Sequence, residues 1–478
     1  MFHHPPSGPP GTAGGMPGRR ALAALAIALT GGLTGCLDPG NTPSNLPMTS
    51  AAAAYERPAQ PIAQPGSTAL IVAFSGGGAR SAAFGYGVLS ALAERPAPGG
   101  GGRSLADEIA VVAGVSGGGI LAAYLALHGP AAAAAFRQDY LDRDAEAALR
   151  STITPVNLLR GYRGGVNELS GLASWLDDHL YHDATLGDVE RAGGPRLLLH
   201  ATDLYNRAAF PFDRGGFRAI CSDYRPFPLS HAVAASAAVP LIFAPVVLQN
   251  FAAACPFATR ARRARTPASA TELHQAASRA RYNTRPELRY LKLLDGGLVD
   301  NLAVRHLMRT MREPAPAPLR AETASRIRRV VVLVVDASMR IGGTMSLTAE
   351  GPRAPALLTA SIDAMIDGAS RASLDLLRYE IRTWRQRLIG WRCAPAPKRG
   401  CDDLGIDLIR LSLADIDAPE TANRILALHN RLSLQADDVD FLAALGRRML
   451  VANPVYRRIA RAQPSRPSAS AGEGPPAR

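Results

Sequence analysis

Three short segments carry residue types that can do chemistry together. They are Gly114-Val115-Ser116-Gly117-Gly118, Asp295-Gly296-Gly297 and Ser75-Gly76-Gly77-Gly78-Ala79-Arg80. A serine in a GxSxG turn can act as a nucleophile. The turn is so tight that Gly114 and Gly118 leave no room for a side chain two residues to either side. Successive glycine N–H groups at a helix N-terminus attract negative charge, and a tetrahedral oxyanion is such a charge. A carboxylate beside the serine can take its proton and return it to a leaving group. The chemistry of the set is ester cleavage by acyl transfer. Ser116 and Asp295 are the candidate catalytic residues, and Gly76, Gly77, Gly78 and Arg80 form the candidate oxyanion loop. Each motif alone is weak, because glycine-rich and Asp-Gly turns are common.

Such segments need rigid elements to hold them. Ala69 to Phe74 and Ile109 to Ala113 are apolar runs that read as buried strands. Each breaks at glycines, and apolar residues at helical spacing follow: Phe84, Val88, Leu89 and Leu92 after the first, Ile120 to Leu127 after the second. Both glycine segments therefore sit in strand-to-helix turns. Leu291 to Leu294 is a third strand and ends in Asp295, and Arg328 to Asp336 is a fourth. Apolar strands alternating with helices imply a sheet covered on both sides. The expected fold is an α/β, three-layer α/β/α domain with a largely parallel central sheet. Helices are expected over 355–390 and 418–450, with Leu357, Ile362, Met365, Ile366, Leu374 and Leu377 as a buried face. Nucleotide binding is disfavoured: Ser81 stands where GxGxxG needs a third glycine, and no Gly-Lys-Ser/Thr ends the loop.

In this order, the three segments resemble the patatin-like phospholipase family. Its pattern is a glycine-rich oxyanion loop with a following arginine, a GxSxG serine and a DGG or DGA aspartate. Leu199 to Leu204 is similar to a family strand. Ala232 to Pro240 is similar to the family's small-residue helix, which leads into a proline-bounded stretch, here Pro240 to Pro245. The likeness covers about residues 68 to 340. It implies a Ser–Asp dyad without histidine, in which Ser116 is the nucleophile and Asp295 the base. It implies a phospholipase A, lysophospholipase or lipid acyl hydrolase, working through an acyl-enzyme with no metal or cofactor. Ser75 replaces a frequent Asp of the family and Ser81 a frequent Gly. Two other readings stand beside this one. An α/β-hydrolase triad would recruit His306 or His429, both downstream of Asp295. A catalytically silent, membrane-tethered binding scaffold would keep the residues without turnover.

The chain has 478 residues, 47% of them apolar, enough for a large folded core. Its net charge of +13 comes from arginine, since Lys292 and Lys398 are the only lysines. Codon bias accounts for that skew, and a basic surface for anionic lipid head groups is the functional alternative. No basic helix interleaved with aromatic residues occurs, so nucleic acid is not an expected partner.

Residues 1–35 read as a signal peptide. Arg19 and Arg20 precede the apolar stretch Ala21 to Leu29, which is shorter than the roughly 20 residues a spanning helix needs. Leu33-Thr34-Gly35-Cys36 resembles the lipobox of bacterial lipoproteins. That implies export, lipidation of Cys36 and anchorage to a bacterial membrane. Leu37, in place of an aspartate, implies the outer membrane. Residues 36–67 read as a flexible tether. Residues 68–340 read as the catalytic domain, with an Arg-rich insertion at 250–290 that serves as a lid, a head-group contact or a plain solvated loop. Residues 341–462 read as a helical region packed on that domain, and 463–478 as a disordered tail. No CxxC spacing suggests zinc. Apart from Cys36, four cysteines remain. They form two local bridges, Cys221 with Cys255 and Cys393 with Cys401, or stay as four buried thiols.

Overall fold

The computed structural model describes residues 42–54, 67–98, 102–147, 149, 154, 157, 160, 165–240, 242–255, 269–311, 327–339, 349–393, 400–428 and 431–461. The signal segment, Cys36, His429 and the tail at 463–478 lie outside the described residues. The strands are β1 (Leu46–Pro47), β2 (Thr68–Phe74), β3 (Ile109–Gly114), β4 (Arg196–Asp203), β5 (Ala208–Pro211), β6 (Ser222–Asp223), β7 (Val246–Gln249), β8 (Tyr290–Leu294), β9 (Arg329–Asp336) and β10 (Gly405–Ser412). The helices that bear on the site are α1 (Gly78–Ala93), α2 (Ser116–His128), α3 (Leu229–Ser236), α4 (Ala270–Thr284), α5 (Val304–Met311), α6 (Ala354–Cys393) and α7 (Ala436–Ala452).

The main sheet runs β10-β9-β2-β3-β4-β8-β7, with β5 beside β4. The five strands from β10 to β4 are parallel, and β8, β7 and β5 join antiparallel. Every residue of β2 and β3 is buried. Leu70, Val72 and Phe74 face one core with Leu89 of α1, Leu121 of α2 and Leu442 of α7. Ile71, Ala73 and Val332 face the other with Leu307 of α5 and Leu377 of α6. This is the expected three-layer α/β/α arrangement. It explains the unbroken apolar runs, because a strand covered on both faces has no solvent side to keep polar. Among the described residues no helix is long and apolar enough to cross a membrane.

Four features differ from the sequence expectation or refine it. First, the C-terminal region is not purely helical. β10 pairs with β9 in register along its whole length and completes the parallel sheet. Asp407 and Arg410 break its apolar run, which hides the strand from a pattern search. In the fold they bond Arg329 and Asp336 of the neighbouring strand. Second, the expected buried face of α6 holds only in its second half. Leu374 and Leu377 are buried, whereas Leu357 is 54% and Met365 61% exposed. The helix has 40 residues. At 1.5 Å per residue it is about 60 Å long. A strand of eight residues spans only about 27 Å, so the first half of α6 overhangs the sheet.

Third, residues 42–54 fall inside the segment read as a tether, yet they lie against the domain. Leu46 and Pro47 pair with Asp223 and Ser222. The Asn45 side chain accepts from the Gln249 amide at 2.8 Å and donates to the Gln249 carbonyl at 2.9 Å. The arm thus satisfies part of the open edge of β7, which otherwise offers unpaired backbone groups. Fourth, the Arg-rich insertion contains α4, whose N-terminus is capped by Ser269. Disulfides link Cys221 to Cys255 and Cys393 to Cys401. The first ties the start of the insertion to β6, and the second ties the end of α6 to the approach of β10.

Candidate active site

The carboxyl ends of β2 and β3 lie side by side, with Phe74 level with Gly114. Ser116 lies two residues past the end of β3, with a left-handed φ of 52°, and opens α2. That conformation is strained for a residue with a side chain, and packing enforces it. A Cβ on Gly114 would lie 2.5 Å from the Gly118 carbonyl, and one on Gly118 would lie 2.3 Å from the Ser75 carbonyl. The Ser116 amide donates to Ser236 Oγ at 3.1 Å. Ser236 is fully buried at the end of α3. Ser116 itself is 7% exposed.

The candidate oxyanion loop is pinned at its start. The Ser75 amide donates to Val335 of β9, and the Gly76 amide to the Asn301 carbonyl at 3.0 Å. Gly76 N–H is therefore already engaged, which corrects its expected role as an oxyanion donor. Gly77 and Gly78 remain. Their φ angles are 137° and 58°, and their amides have no acceptor among the described residues. The same holds for the amide of Gly117, the residue after Ser116. Gly78 and Gly117 abut, since a Cβ on Gly117 would sit 2.0 Å from the Gly78 carbonyl. Gly78 and Gly117 thus meet where two helices start, and helix N-termini favour an anion.

Arg80 is buried, and one guanidinium nitrogen would lie 3.2 Å from a Cβ on Gly77. It donates to the carbonyls of Ala337 at 3.1 Å and Leu428 at 2.6 Å. Burial pushes its pKa down to about 10, opposed by Asp363 and Asp336, so it stays charged at neutral pH. Arg80 thus positions the loop. The two positions that depart from the family pattern do the same. Ser75 Oγ accepts from the Ala337 amide at 2.8 Å, and Ser81 Oγ donates to the Ser75 carbonyl.

Asp295 arrives from the antiparallel side of the sheet. Its amide donates to the Ala238 carbonyl at 2.8 Å, and its carbonyl accepts from Thr202 Oγ1 at 2.8 Å. Its carboxylate accepts from the Gly297 amide at 2.7 Å, and the Ser116 hydroxyl is near enough to favour its charged form. Burial pushes the carboxyl up to about 6, and the Gly297 amide and the nearby Ser116 hydroxyl oppose the shift. A carboxylate so placed is ionised at neutral pH yet basic enough to accept a proton. Asn301 closes the arrangement. Its Oδ1 would lie 2.3 Å from a Cβ on Gly76 and 2.9 Å from one on Gly297, so it touches both loops.

The structure brings together Ser116, Asp295, Gly77, Gly78, Gly114 and Gly118. It places His306 elsewhere, bonded to Asp213 at 3.0 Å, with burial pushing its pKa down to about 3. The buried His200 lies beneath the loop, with a ring nitrogen 3.3 Å from the Gly296 carbonyl. Burial lowers its pKa and keeps it neutral. Among the described residues no group of three or more His, Cys, Asp or Glu side chains is placed to hold a metal ion. Sequence reasoning missed Gly117, Ser236, Thr202 and Asn301. Gly117 had a signal, as the residue after a GxSxG serine. The other three are ordinary polar residues whose roles depend on long-range contacts.

Residues 72–308 match the family model described as patatin-like phospholipase. No curated protein matches the chain. Among solved structures, the human GIVD cytosolic phospholipase A2 aligns at 12% identity with a TM-score of 0.41. The alignment covers 86% of this chain and 61% of that one, so this chain spans less than two thirds of its length.

Proposed function

This chain carries a patatin-like phospholipase domain over residues 72–308, and from that premise we propose that it hydrolyses carboxylic esters of lipids with a Ser116–Asp295 dyad. The observation that carries the reading is that Ser236 bonds both the Ser116 amide and the Gly296 amide next to Asp295, which sets the Ser116 hydroxyl near the buried Asp295 carboxylate. Ser116 lies in the turn where Gly117 abuts Gly78, and the amides of Gly77, Gly78 and Gly117 have no acceptor among the described residues. Asp295 takes the hydroxyl proton as Ser116 Oγ bonds to the ester carbonyl carbon. The carbonyl oxygen becomes an oxyanion facing the three amides. Collapse expels the alcohol, which leaves with the proton from Asp295, and an acyl-serine remains. A water then gives its proton to Asp295 and attacks the acyl carbon. The fatty acid departs, and the proton returns to Ser116.

The reading extends to phospholipids, lysophospholipids or neutral lipid esters as substrates. It also takes the chain to be exported and held at a bacterial outer membrane through an acylated Cys36. Two experiments test it. A fluorophosphonate probe should label the wild-type protein and not Ser116→Ala, and the wild type should release fatty acid from a panel of lipid esters. Retained ester cleavage by a folded Ser116→Ala protein would remove the assignment. Metabolic labelling with palmitate should mark the wild type and not Cys36→Ser.

A further inference from the structure

Alternate residues of β8 point to opposite sides of the sheet. Leu291 and Leu293 enter the core, whereas Tyr290 and Lys292 are exposed. The register carries this outer face to its neighbours. Val247 and Gln249 of β7 stand opposite Lys292 and Tyr290, and the Leu204 amide, just past β4, donates to the Lys292 carbonyl. α5 and α6 cover this side of the sheet farther in, but no residue of β7 or β8 belongs to the core they form.

The uncovered face is apolar as well as exposed. Leu204 is 40%, Tyr205 54% and Tyr290 50% exposed. Leu273, 59% exposed, lies close by, because its neighbour His274 bonds the Asn206 carbonyl. Arg207, Arg289 and Lys292 are exposed among these residues and form no ion pair among the described residues. The acid in their midst, Glu287, lies 4.0 Å from Arg285. A protein interface sets charge at a rim around an apolar centre. Here cations alternate with tyrosine and leucine, as in segments that lie in the head-group region of a bilayer. There the rings and leucines enter the acyl boundary, and the cations meet anionic head groups. Lys292 precedes Asp295 by three residues, about 10 Å along the same strand.

We propose that the outer face of β8, with the turn at 204–207, is the surface on which this protein docks to a bilayer containing anionic lipids. Docking there sets the strand that ends in Asp295 against the membrane. The inference rests on the lipid-hydrolase reading for its purpose, while the binding itself needs no catalysis.

The test uses the full chain carrying Cys36→Ser, so that no acyl anchor contributes. Co-sedimentation is measured with vesicles of phosphatidylcholine mixed with phosphatidylglycerol, and with phosphatidylcholine alone. The parent should bind the mixed vesicles more tightly. The triple change Leu204→Asp, Tyr205→Asp, Tyr290→Asp should cut that binding at least about tenfold, since polar groups resist entry to the apolar layer. The triple change Arg207→Gln, Arg289→Gln, Lys292→Gln should cost about fivefold per charge at low salt, and the difference should shrink at high salt. Turnover of a soluble short-chain ester should stay at the parent level in both variants, which also shows that they fold. Equal vesicle binding by parent and variants would overturn the inference. So would a parent that binds no vesicle but forms dimers which the first triple change dissolves, because the face would then belong to a second copy. A parent that binds vesicles through this face and cleaves no ester would remove the proposed function and leave the docking surface standing.

Discussion

Ser116 follows a parallel strand buried on both faces, and Asp295 follows an antiparallel strand with one face open to water. Around Ser116, contacts come mostly from neighbours in sequence or from the adjoining turn: Gly114, Gly117, Gly118 and Gly78. Around Asp295, they come from far away, from Ala238 and Thr202, while the docked arm at Asn45 and the Cys221–Cys255 bridge fasten the same side of the sheet farther out. A nucleophile in a strained backbone needs a close-packed frame to hold the strain. A base needs a setting that tunes its charge, and the edge of the sheet supplies burial without a partner cation. Ser236 joins the two regions. Its Oγ holds the Ser116 amide, and its carbonyl accepts from the Gly296 amide at 3.1 Å.

The comparison can be broken first at its two chemical ends. Ser116→Ala and Asp295→Asn should each lower ester turnover by about 10³-fold or more, because nucleophile and base act as a unit. They should differ in stability. The folded-state pKa of Asp295 is raised to about 6, above its unfolded value of about 3.9. Its contribution is therefore favourable below pH 4 and is lost as pH rises through 6. Asp295→Asn should then be more stable to unfolding than wild type at pH 8, by about 1–3 kcal/mol, and so melt higher, while Ser116→Ala should not. A lower melting point for Asp295→Asn at pH 8 would contradict the burial argument.

The joint between the regions comes next. Ser236→Ala should lower kcat by about 10- to 100-fold through misplacement of Ser116, with a smaller effect on KM, in steady-state assays of a soluble ester. Below these lies the pH profile. With Asp295 near 6, kcat/KM should fall about tenfold per unit below that pH and stay flat from 7 to 8. A profile governed by a group titrating near 4 would exclude Asp295 as the base.

The antiparallel side can then be loosened alone. Replacing Cys221 and Cys255 with serine opens a loop with a sequence separation of 34. It should lower unfolding stability by about 3–4 kcal/mol in the loop-entropy account, measured by denaturant titration, with fluorophosphonate labelling of Ser116 preserved at room temperature. The smallest effect is expected at His306. His306→Gln should leave turnover within about twofold, since His306 bonds Asp213 and not Asp295. A large loss there would revive the triad reading.

The legible part of the site was the part whose reasons are local. Gly114, Gly118 and Ser116 show themselves because a tight strand-to-helix turn excludes side chains at fixed offsets. The runs at β2, β3 and β9 show themselves because burial on both faces removes every polar residue. β10 stayed hidden because Asp407 and Arg410 are satisfied only by β9, a partner some seventy residues away in the chain. Arg80 was legible as a loop residue and not as a clamp, since the carbonyls it holds belong to Ala337 and Leu428.

Residue order by itself determined the three-layer fold, the strained serine and the carboxylate at a strand end, because steric exclusion and hydrophobic periodicity act over a few residues. Only the tertiary structure decided which amides stay free. Gly76 lost its N–H to Asn301, while Gly77, Gly78 and Gly117 kept theirs. It also raised the pKa of Asp295 and left one face of β8 uncovered. Hydrogen-bond partners and burial are set by what the rest of the chain brings alongside, and no local pattern records that.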